Sequence, residues 1–326
     1  MNRADTLGAF DNVFKAIFNC GIVPVITVED VAAALPLAQA LGFAGVDVLE
    51  VTFRTAAAEE AIKRLSGTGS LVGAGTVLTV ETAKKAIEAG ASFIMSPGFN
   101  PKVVEYCLEN GVCVIPGVSR ATDIEEALSY NLNVLKFFPA EVNGGVKALN
   151  SLKEPYGNVR FIPTGGIGPK NLASYLALDC VIACGGSWMV PKDLINTRNF
   201  AEISRITREA LSIVHGFKFA HMAMNFIDES AAGAAADAFS DIFGFGKRDI
   251  GVSIFSTDFI ELMKSPNPEE FGHIGIKCVN LRRAMAYLEA KGAAFDMETL
   301  KIRNGKPVFV YLKEPIGSFR VHLVSL

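Results

Sequence analysis

The chain has 326 residues, of which 50% are apolar and 20% are charged, and its formal net charge is −3. This length favours two domains. Lys and Arg are scattered along the chain, so the basic patch that nucleic-acid binding requires is missing. No apolar run approaches the roughly 20 residues of a membrane span. The N-terminus lacks the pattern of a signal peptide. We therefore expect a cytoplasmic protein with neither a nucleic-acid nor a membrane partner.

The cysteines also favour a cytoplasmic location. They lie mostly inside apolar stretches and show no paired CxxC spacing, at Cys20, Cys107, Cys113, Cys180, Cys184 and Cys278. Buried free thiols of this kind are typical of a reducing cytoplasm rather than of a disulfide framework.

Residues 20–190 repeat one unit, in which a short apolar run is followed by a turn and then by an amphipathic stretch. The predicted strands are Ile22–Val28, Val46–Phe53, Leu71–Val77, Phe93–Ser96, Cys113–Val118, Val134–Phe138, Val159–Pro163 and Val181–Ala183. Strands that alternate with helices imply parallel pairing through right-handed crossovers. Eight of them predict a (β/α)₈ TIM barrel, with an open doubly wound sheet as the alternative.

Glycines gather where several of these predicted strands end. The segments concerned include Gly73–Gly75, Ser96–Gly98 and Gly185–Ser187. In a barrel the carboxyl ends of the strands carry the catalytic loops. Because glycines leave the ends of several neighbouring strands without side chains, we expect a ligand to approach the backbone there.

A second region with a different order of elements begins after a helix predicted at about 197–213. We place the domains at residues 1–216 and 217–326. The second reads as a βαββ plan used twice, which predicts a smaller α+β domain with an internal duplication. The first copy has room for only two strands after its helix, so one strand is expected to be missing.

Lys136 lies in the run VLKFFPAE, at Val134–Glu141, and is surrounded by apolar residues of a predicted strand. Burying an ammonium group is costly. Burial favours the neutral amine, which is the nucleophile that condenses with a ketone. The alternative is a lysine held in a structural ion pair, or one that extends to solvent.

Glu50, Thr52 and Arg54 alternate along the second predicted strand and should share one face. Glu50 could move protons through a water molecule. Arg54 could pair with a substrate carboxylate through two hydrogen bonds. The alternative is a structural Glu–Arg salt bridge.

Two glycine pairs end the seventh and eighth predicted strands. They are Gly165–Gly166 in PTGGI and Gly185–Gly186 in GGSW. Backbone amides at this position of a barrel are often arranged around a phosphate. Together the two pairs predict a phosphate site.

The motifs LEVTFRT, GAGTV, SPG, IPG, KFFPAEVNGGVKAL, PTGGI and GGSWMVP occur in this order. This set resembles class I 2-keto-3-deoxy-6-phosphogluconate (KDPG) aldolases, also called 4-hydroxy-2-oxoglutarate (KHG) aldolases, over about residues 22–210. The resemblance implies Lys136 as the Schiff-base lysine and Glu50 as the general acid and base. It also implies a homotrimer without a metal or other cofactor. The substrate contacts that it implies are Arg54, Thr76, Pro97, Thr164, Gly165, Gly166, Gly185, Gly186 and Ser187. The sequence departs from the family at Arg120, on the catalytic rim.

The C-terminal region resembles, more weakly, the glyoxalase-like or vicinal-oxygen-chelate family. The resemblance rests on the repeated plan and on the phrase HIGIKCVNLRRAMAYLEAKG. It implies a divalent metal, namely zinc, nickel or iron(II). The implied ligands are His221, Glu261, His273 and His322, although the family usually has glutamate where His322 stands. The alternative is structural histidines in a domain that dimerises or senses a ligand.

We therefore expect a Schiff-base aldolase whose small-molecule partner is a 2-keto acid. It would cleave KDPG to pyruvate and glyceraldehyde 3-phosphate, or KHG to pyruvate and glyoxylate. The choice between these two substrates stays open at this point. Two alternatives remain: a non-catalytic phosphosugar sensor, and a bifunctional enzyme with a metal-dependent activity in its C-terminal domain.

Overall fold

The computed structural model describes residues 10–266 and 271–325. The chain divides into two compact units, Met1–Val214 and His215–Leu326. Residues 1–9, which carry most of the expectation about a signal peptide, lie outside the described residues. No helix in the described part of the chain is both long enough and apolar enough to cross a membrane.

The first unit alternates strands with helices, as the periodicity predicts. Its strands are β1 (Ile22–Ile26), β2 (Val48–Thr52), β3 (Leu71–Gly75), β4 (Phe93–Met95), β5 (Cys113–Ile115), β6 (Gly117–Val118), β7 (Val134–Phe137), β8 (Arg160–Pro163) and β9 (Cys184–Gly186). Its helices are α1 (Asp11–Cys20), α2 (Ala34–Ala44), α3 (Ala58–Leu65), α4 (Val80–Glu88), α5 (Pro101–Glu109), α6 (Ala121–Ser129), α7 (Gly145–Lys153), α8 (Leu172–Leu176), α9 (Lys192–Asn196) and α10 (Phe200–His215).

All the strand pairs of this unit are parallel. One sheet has the order β5-β4-β3-β2-β1-β9 and another has the order β6-β7-β8. Pro116 alone separates β5 from β6. At the other end, isolated parallel bridges join Phe161 to Val181 and Thr164 to Gly185. The result is a curled parallel α/β sheet in which the carboxyl ends of the strands lie at one edge.

Local sequence explains where two of these helices begin. The Thr79 side chain accepts a hydrogen bond from the Thr82 amide at the start of α4. The Asn100 side chain does the same for the Lys102 amide at α5, which has proline in its first turn. Such caps satisfy amides that have no partner within the helix.

The observed strands differ from the predicted ones by one to three residues at their ends, and two of these differences affect the site. The eighth strand was expected at 181–183 but lies at Cys184–Gly186, and Val181 forms only a bridge. The second strand ends at Thr52, where the Arg54 amide donates to the Thr52 carbonyl and closes a turn. The prediction that Arg54 lies on the same strand face as Glu50 is therefore wrong.

Several of the glycines at the strand ends make room for protein atoms, while the expected approach of a ligand to the backbone there stays a prediction. A Cβ at Gly73 would lie 2.1 Å from the Phe93 ring, and one at Gly117 would lie 2.2 Å from the Pro97 carbonyl carbon. A Cβ at Gly186 would lie 1.8 Å from the Trp188 ring. Packing between neighbouring strands and loops explains these small residues.

The second unit contains the same series of elements twice. The first copy is β10 (Lys218–Asn225), α11 (Glu229–Phe243), β11 (Lys247–Asp249), β12 (Ser253–Ser256) and β13 (Ile260–Met263). The second copy is β14 (Gly272–Cys278), α12 (Leu281–Glu289), β15 (Phe295–Arg303), β16 (Lys306–Leu312) and β17 (Phe319–Ser325). They form one eight-stranded sheet in the order β11-β12-β13-β10-β14-β17-β16-β15, in which β10 and β14 pair antiparallel at the centre.

The prediction that the first copy lacks a strand is wrong. Lys247–Asp249 forms β11, pairs antiparallel with β12 and is exposed at the edge of the sheet. Three consecutive charged residues carry no apolar alternation, which is why the strand was missed. Charged side chains are common on edge strands, where they discourage further pairing.

The two helices pack on one face of this sheet. Leu262 packs with Ala232 and Ala236 of α11, and Val310 and Leu323 pack with residues of α12. Successive residues of a strand point to opposite faces. The neighbours of these leucines in sequence, Glu261 and His322, therefore lie on the face away from the helices.

Candidate active site

Lys136 and Glu50 meet in the interior of the first unit. The Lys136 Nζ atom lies 2.8 Å from Oε1 of Glu50, across from β7 to β2. The two residues are only 4% and 1% exposed. A buried ion pair contributes little net stability because desolvating both charges offsets their attraction. The position of the pair is therefore better explained by chemistry than by stability.

Glu50 also has an oxygen available for a ligand. Among the described residues, Oε2 of Glu50 is buried and has no hydrogen-bond partner. Leaving a buried carboxylate oxygen without a partner is costly. A water molecule or a substrate hydroxyl group at this point would satisfy it, which is the contact that a proton shuttle needs.

Thr52, one side chain further along β2, is held by the protein. Its Oγ1 donates to the Ile26 carbonyl at 2.9 Å and also lies 2.9 Å from Oγ1 of Thr27. The hydroxyl of Thr52 thus fixes β2 against β1. On the lysine side, the Phe138 ring lies 5.7 Å from the Lys136 Nζ atom and keeps this side apolar.

Thr76 and Pro97 lie where β3 and β4 end. Thr76 is half-buried and has a φ of 58°, in the left-handed region that residues other than glycine rarely adopt. Such strain is common at ligand sites, where surrounding contacts maintain it. Pro97 is half-buried beside Gly117. Both residues lie at the edge formed by the carboxyl ends of the strands. The strand β7, which carries Lys136, also ends at this edge.

Arg54 is exposed, in the turn that follows β2. The alternative of a structural salt bridge between Glu50 and Arg54 is not observed in the described part of the chain, because Glu50 pairs with Lys136. Arg120 is also exposed, and its Nε atom forms an ion pair with Asp123 at 3.1 Å near the start of α6.

The structure brings the two glycine pairs together. Thr164 is buried at the end of β8 and is bridged to Gly185. Gly165 and Gly166 have φ values of 98° and 79°, which only glycine adopts readily. The side chain of Asn171 holds this loop, since it accepts from the Gly168 amide at 2.8 Å and donates to the Gly166 carbonyl at 3.1 Å. Ser187 is exposed just beyond β9.

Sequence reasoning missed the Tyr175–Glu141 pair beneath this loop. The Tyr175 hydroxyl donates to Oε1 of Glu141. A Cβ at Gly166 would lie 2.6 Å from Cγ of Glu141, so the pair packs directly against the glycine loop. Burial, followed by the bond to Glu141, raises the pKa of Tyr175, which stays protonated as the donor. Glu141 belongs to the KFFPAE motif, but no local pattern marks Tyr175.

The predicted metal ligands of the second unit converge on one point. The Nε2 atom of His221 lies 3.2 Å from the Nε2 atoms of both His273 and His322. Oε2 of Glu261 lies 3.4 Å from His221 Nε2 and 3.3 Å from His273 Nε2. The Ser253 hydroxyl donates to the other Glu261 oxygen at 2.6 Å. These ligands come from four strands of the sheet.

This donor set fits a divalent cation. Three imidazole nitrogens and a carboxylate oxygen point at one another, and a single proton on His221 Nε2 cannot bond to all of these neighbours. Burial, with smaller contributions from His221 and His273, lowers the pKa of His322 to about 3. The ring is therefore neutral at ordinary pH, as metal coordination requires. Gly275 makes room, because its Cβ would lie 2.6 Å from the His221 ring.

Comparisons with known proteins cover the first unit. A family model described as KDPG and KHG aldolase matches residues 13–206. A 2-dehydro-3-deoxy-phosphogluconate aldolase of Treponema pallidum is 50% identical over 204 residues, which is 62% of this chain and 97% of that protein. A KHG/KDPG aldolase of Escherichia coli is 44% identical over 192 residues, 58% of this chain and 90% of that protein.

A solved structure shows the same fold. The KDPG aldolase of Legionella pneumophila, with pyruvate captured as a covalent carbinolamine, superposes with a TM-score of 0.58 and 38% identity. The match covers 60% of this chain and 96% of that one. Because the family model spans more than half of the chain, the chain belongs to the KDPG and KHG aldolase family.

Proposed function

We propose that this protein is a class I aldolase that reversibly cleaves KDPG to pyruvate and glyceraldehyde 3-phosphate, and also KHG to pyruvate and glyoxylate. The observation that carries this proposal is the buried contact of 2.8 Å between Lys136 Nζ and Glu50. The names of the two relatives described above give KDPG, and in one case also KHG, as the substrates of those proteins. The enzyme is a lyase.

The reaction needs one amine and one proton shuttle. Proton transfer to Glu50 leaves the Lys136 amine neutral, and its lone pair attacks the C2 carbonyl carbon of the substrate. Loss of water from the carbinolamine gives a protonated imine. As the C4 hydroxyl loses its proton, the C3–C4 bond breaks and its electrons move into the imine, which releases the aldehyde. The remaining enamine is protonated at C3, and water then hydrolyses the imine to pyruvate. Glu50 is proposed to carry these protons, and its contact with the Lys136 Nζ atom supports this role.

The rest of the site would bind the two ends of the substrate. Arg54 and Thr76 are proposed to contact the pyruvyl carboxylate, with Pro97 against the pyruvyl group. The loop of Thr164–Gly166 and the segment Gly185–Ser187 are proposed to hold the phosphate through backbone amides. Their adjacency through the Thr164–Gly185 bridge supports this assignment.

Borohydride trapping tests the proposal. Reduction in the presence of pyruvate should attach one pyruvyl group to Lys136, as peptide mass spectrometry would detect. Lys136→Met should abolish both the adduct and the cleavage of KDPG. Lys147→Met, which removes an exposed lysine of α7, is the matched control. An adduct elsewhere, or full activity in Lys136→Met, would refute the proposal. Rates on KDPG and KHG measured side by side then establish substrate preference.

We also infer that the first unit closes as a (β/α)₈ barrel. The bridges between β8 and the β9 segment, and the single residue between β5 and β6, support closure. A cytoplasmic location is supported by six buried cysteines that are free thiols. A homotrimer is proposed from the family resemblance, and Phe43 and Val142, 81% and 83% exposed, are apolar enough to be contacts. Light scattering of the purified protein tests the trimer.

For the second unit we propose a glyoxalase-like domain that holds zinc, nickel or iron(II). The supporting observation is the convergence of His221, Glu261, His273 and His322 within hydrogen-bonding distances. A bound ion would act there as a Lewis acid on an oxygen ligand. Elemental analysis of the full chain should find one ion per chain, and His273→Ala should lose it. A metal-free full chain after supply of all three metals would refute this proposal.

A further inference from the structure

The face of the second unit that carries the predicted ligands is defined by strand pairing. Residues that pair across a sheet lie on the same side of it. One continuous row contains Arg248, Phe255, Glu261, Ala223, His273 and Arg320. The next row contains His221, Gly275, His322, Tyr311 and Asp296. The third row contains Lys218, Lys277, Val324, Phe309 and Lys301. We call these three rows the histidine face.

A ring contact pattern repeats on the histidine face, in which a cation covers an aromatic ring that touches a histidine. The Arg248 guanidinium lies 4.9 Å from the centre of Phe255, whose ring is 5.9 Å from that of His221. The Lys301 ammonium lies 4.8 Å from the centre of Phe309, whose ring is 4.4 Å from that of His322.

The third such arrangement uses Arg320. Its guanidinium lies 4.1 Å from the centre of the Tyr311 ring, which is 5.2 Å from His322 and 6.1 Å from His273. All three rings are partly buried. The point where the predicted ligands converge is thus surrounded by aromatic rings, and a positively charged side chain lies over each ring.

The charges on the face do not balance. Arg320 is paired with Asp296 at 2.8 Å. Arg248, Lys218, Lys277 and Lys301 form no ion pair with a carboxylate in the described part of the chain. Within the three rows this leaves Glu261 as the single unpaired carboxylate against four cations. A divalent ion would add two further positive charges. Such a face attracts a negative ligand with or without the metal.

From this arrangement we propose that the histidine face binds a small 2-oxo carboxylate, the chemical class to which pyruvate belongs, beside the proposed metal ion. This inference deepens and rests on the metal site proposed above. The carboxylate is the negative group that the cations attract, and the short apolar part lies against the rings. A carboxylate with a neighbouring oxygen also offers the oxygen donors that zinc, nickel and iron(II) accept.

The test uses the full chain carrying Lys136→Met, so that no imine forms in the first unit, loaded with one Co²⁺ per chain. Pyruvate is added while the visible absorption of the cobalt is followed, because this spectrum responds only to ligands at the metal. Pyruvamide, which has the same size and the same adjacent oxygens but no charge, is the paired probe. Inorganic phosphate is the third probe.

We expect pyruvate to change the spectrum with a Kd at least roughly tenfold below that of pyruvamide. The double variant Arg248→Gln/Lys301→Gln should raise the Kd of pyruvate by about tenfold. The Kd of pyruvamide and the cobalt content should stay unchanged. Arg282→Gln/Lys291→Gln removes an exposed Arg and an exposed Lys at and just beyond α12, which packs on the opposite face, and should change nothing.

Equal binding of pyruvate and pyruvamide would overturn the inference, and so would an unaltered pyruvate Kd in Arg248→Gln/Lys301→Gln. Phosphate that binds as tightly as pyruvate would also overturn it in favour of an oxyanion site without carboxylate preference. A chain that takes up no cobalt, zinc, nickel or iron refutes the proposed metal site itself. Cobalt content, measured on each sample, separates that failure from failure of the anion inference.

Discussion

Gly75 leaves the space that the Glu50 carboxylate occupies: a Cβ at Gly75 would lie 2.1 Å from Oε1 of Glu50, the oxygen that meets Lys136. The two residues are on the neighbouring strands β2 and β3. The second glycine of the GAGTV motif is therefore explained by the Glu50 side chain on the neighbouring strand.

This contact predicts the effect of Gly75→Ala. The added methyl group must displace the carboxylate, so we expect a strong loss of kcat and a decrease of about 1–3 kcal/mol in the free energy of unfolding. Urea unfolding and the KDPG cleavage rate measure the two effects. Gly157→Ala is the control, because a Cβ there has nothing within 4 Å. Unchanged activity in Gly75→Ala would show that the position of Glu50 is not critical.

Glu50→Gln keeps the shape of the side chain but cannot take up a proton. We expect kcat for KDPG cleavage to fall by about 10²–10⁴, the range typical of a lost general acid or base. Trapping of pyruvate on Lys136 should still be detectable after long incubation, because the amine remains. Glu81→Gln, on the exposed surface of α4, should behave as the unaltered protein. A loss smaller than tenfold would assign the proton transfers to another group.

Tyr175→Phe tests whether the partly buried Tyr175–Glu141 hydrogen bond positions the glycine loop. Without it Glu141 is free to move away from Gly166, so we expect a higher KM for KDPG with a smaller change in kcat. The KM for KHG, which has no phosphate, should change less. Tyr156→Phe removes a comparable bond of 2.8 Å to Glu125 on the surface and is the matched control. Equal changes in KM for both substrates would contradict a role in phosphate binding.

His215 predicts a pH dependence of stability in the second unit. Burial, followed by Arg283 and Lys291, lowers its pKa from 6.5 to about 4. Its ring is stacked on Tyr287 with centroids 4.0 Å apart, and neither nitrogen has a hydrogen-bond partner among the described residues. The unfolded chain therefore binds a proton at higher pH than the folded chain does. The resulting destabilisation is absent above pH 6.5 and grows as the pH falls towards 4.

His215→Phe should remove this dependence while keeping the ring contact. Between pH 7 and pH 4 the free energy of unfolding should fall by about 3 kcal/mol more in the unaltered protein than in His215→Phe. Chemical denaturation at several pH values measures the difference, and measurements at pH 7 and pH 8 serve as the control. Parallel pH curves for the two proteins would show that His215 is not responsible.

Local pattern was sufficient to predict the alternation of strands and helices in the first unit and the burial of Lys136 in a strand. Alternation of apolar runs and amphipathic stretches reports burial directly. The ordered motifs placed Glu50 and both glycine pairs in one site, and the family match supports that reading. The pattern failed to predict structural features that burial does not produce. One is the exposed, charged edge strand Lys247–Asp249, and the other is the turn that separates Arg54 from β2.

The sequence by itself determined which residue types are available: a lysine in an apolar strand, glycines at strand ends, and three histidines and a glutamate in a repeated α+β plan. Only the tertiary structure decided which of them meet. Lys136 and Glu50 are 86 positions apart, and His221 and His322 are 101 apart. Strand order and register bring such residues together, and these depend on packing across the whole sheet rather than on neighbours in the chain. Gly75 shows the same dependence, since its need for a hydrogen side chain arises from Glu50 on another strand.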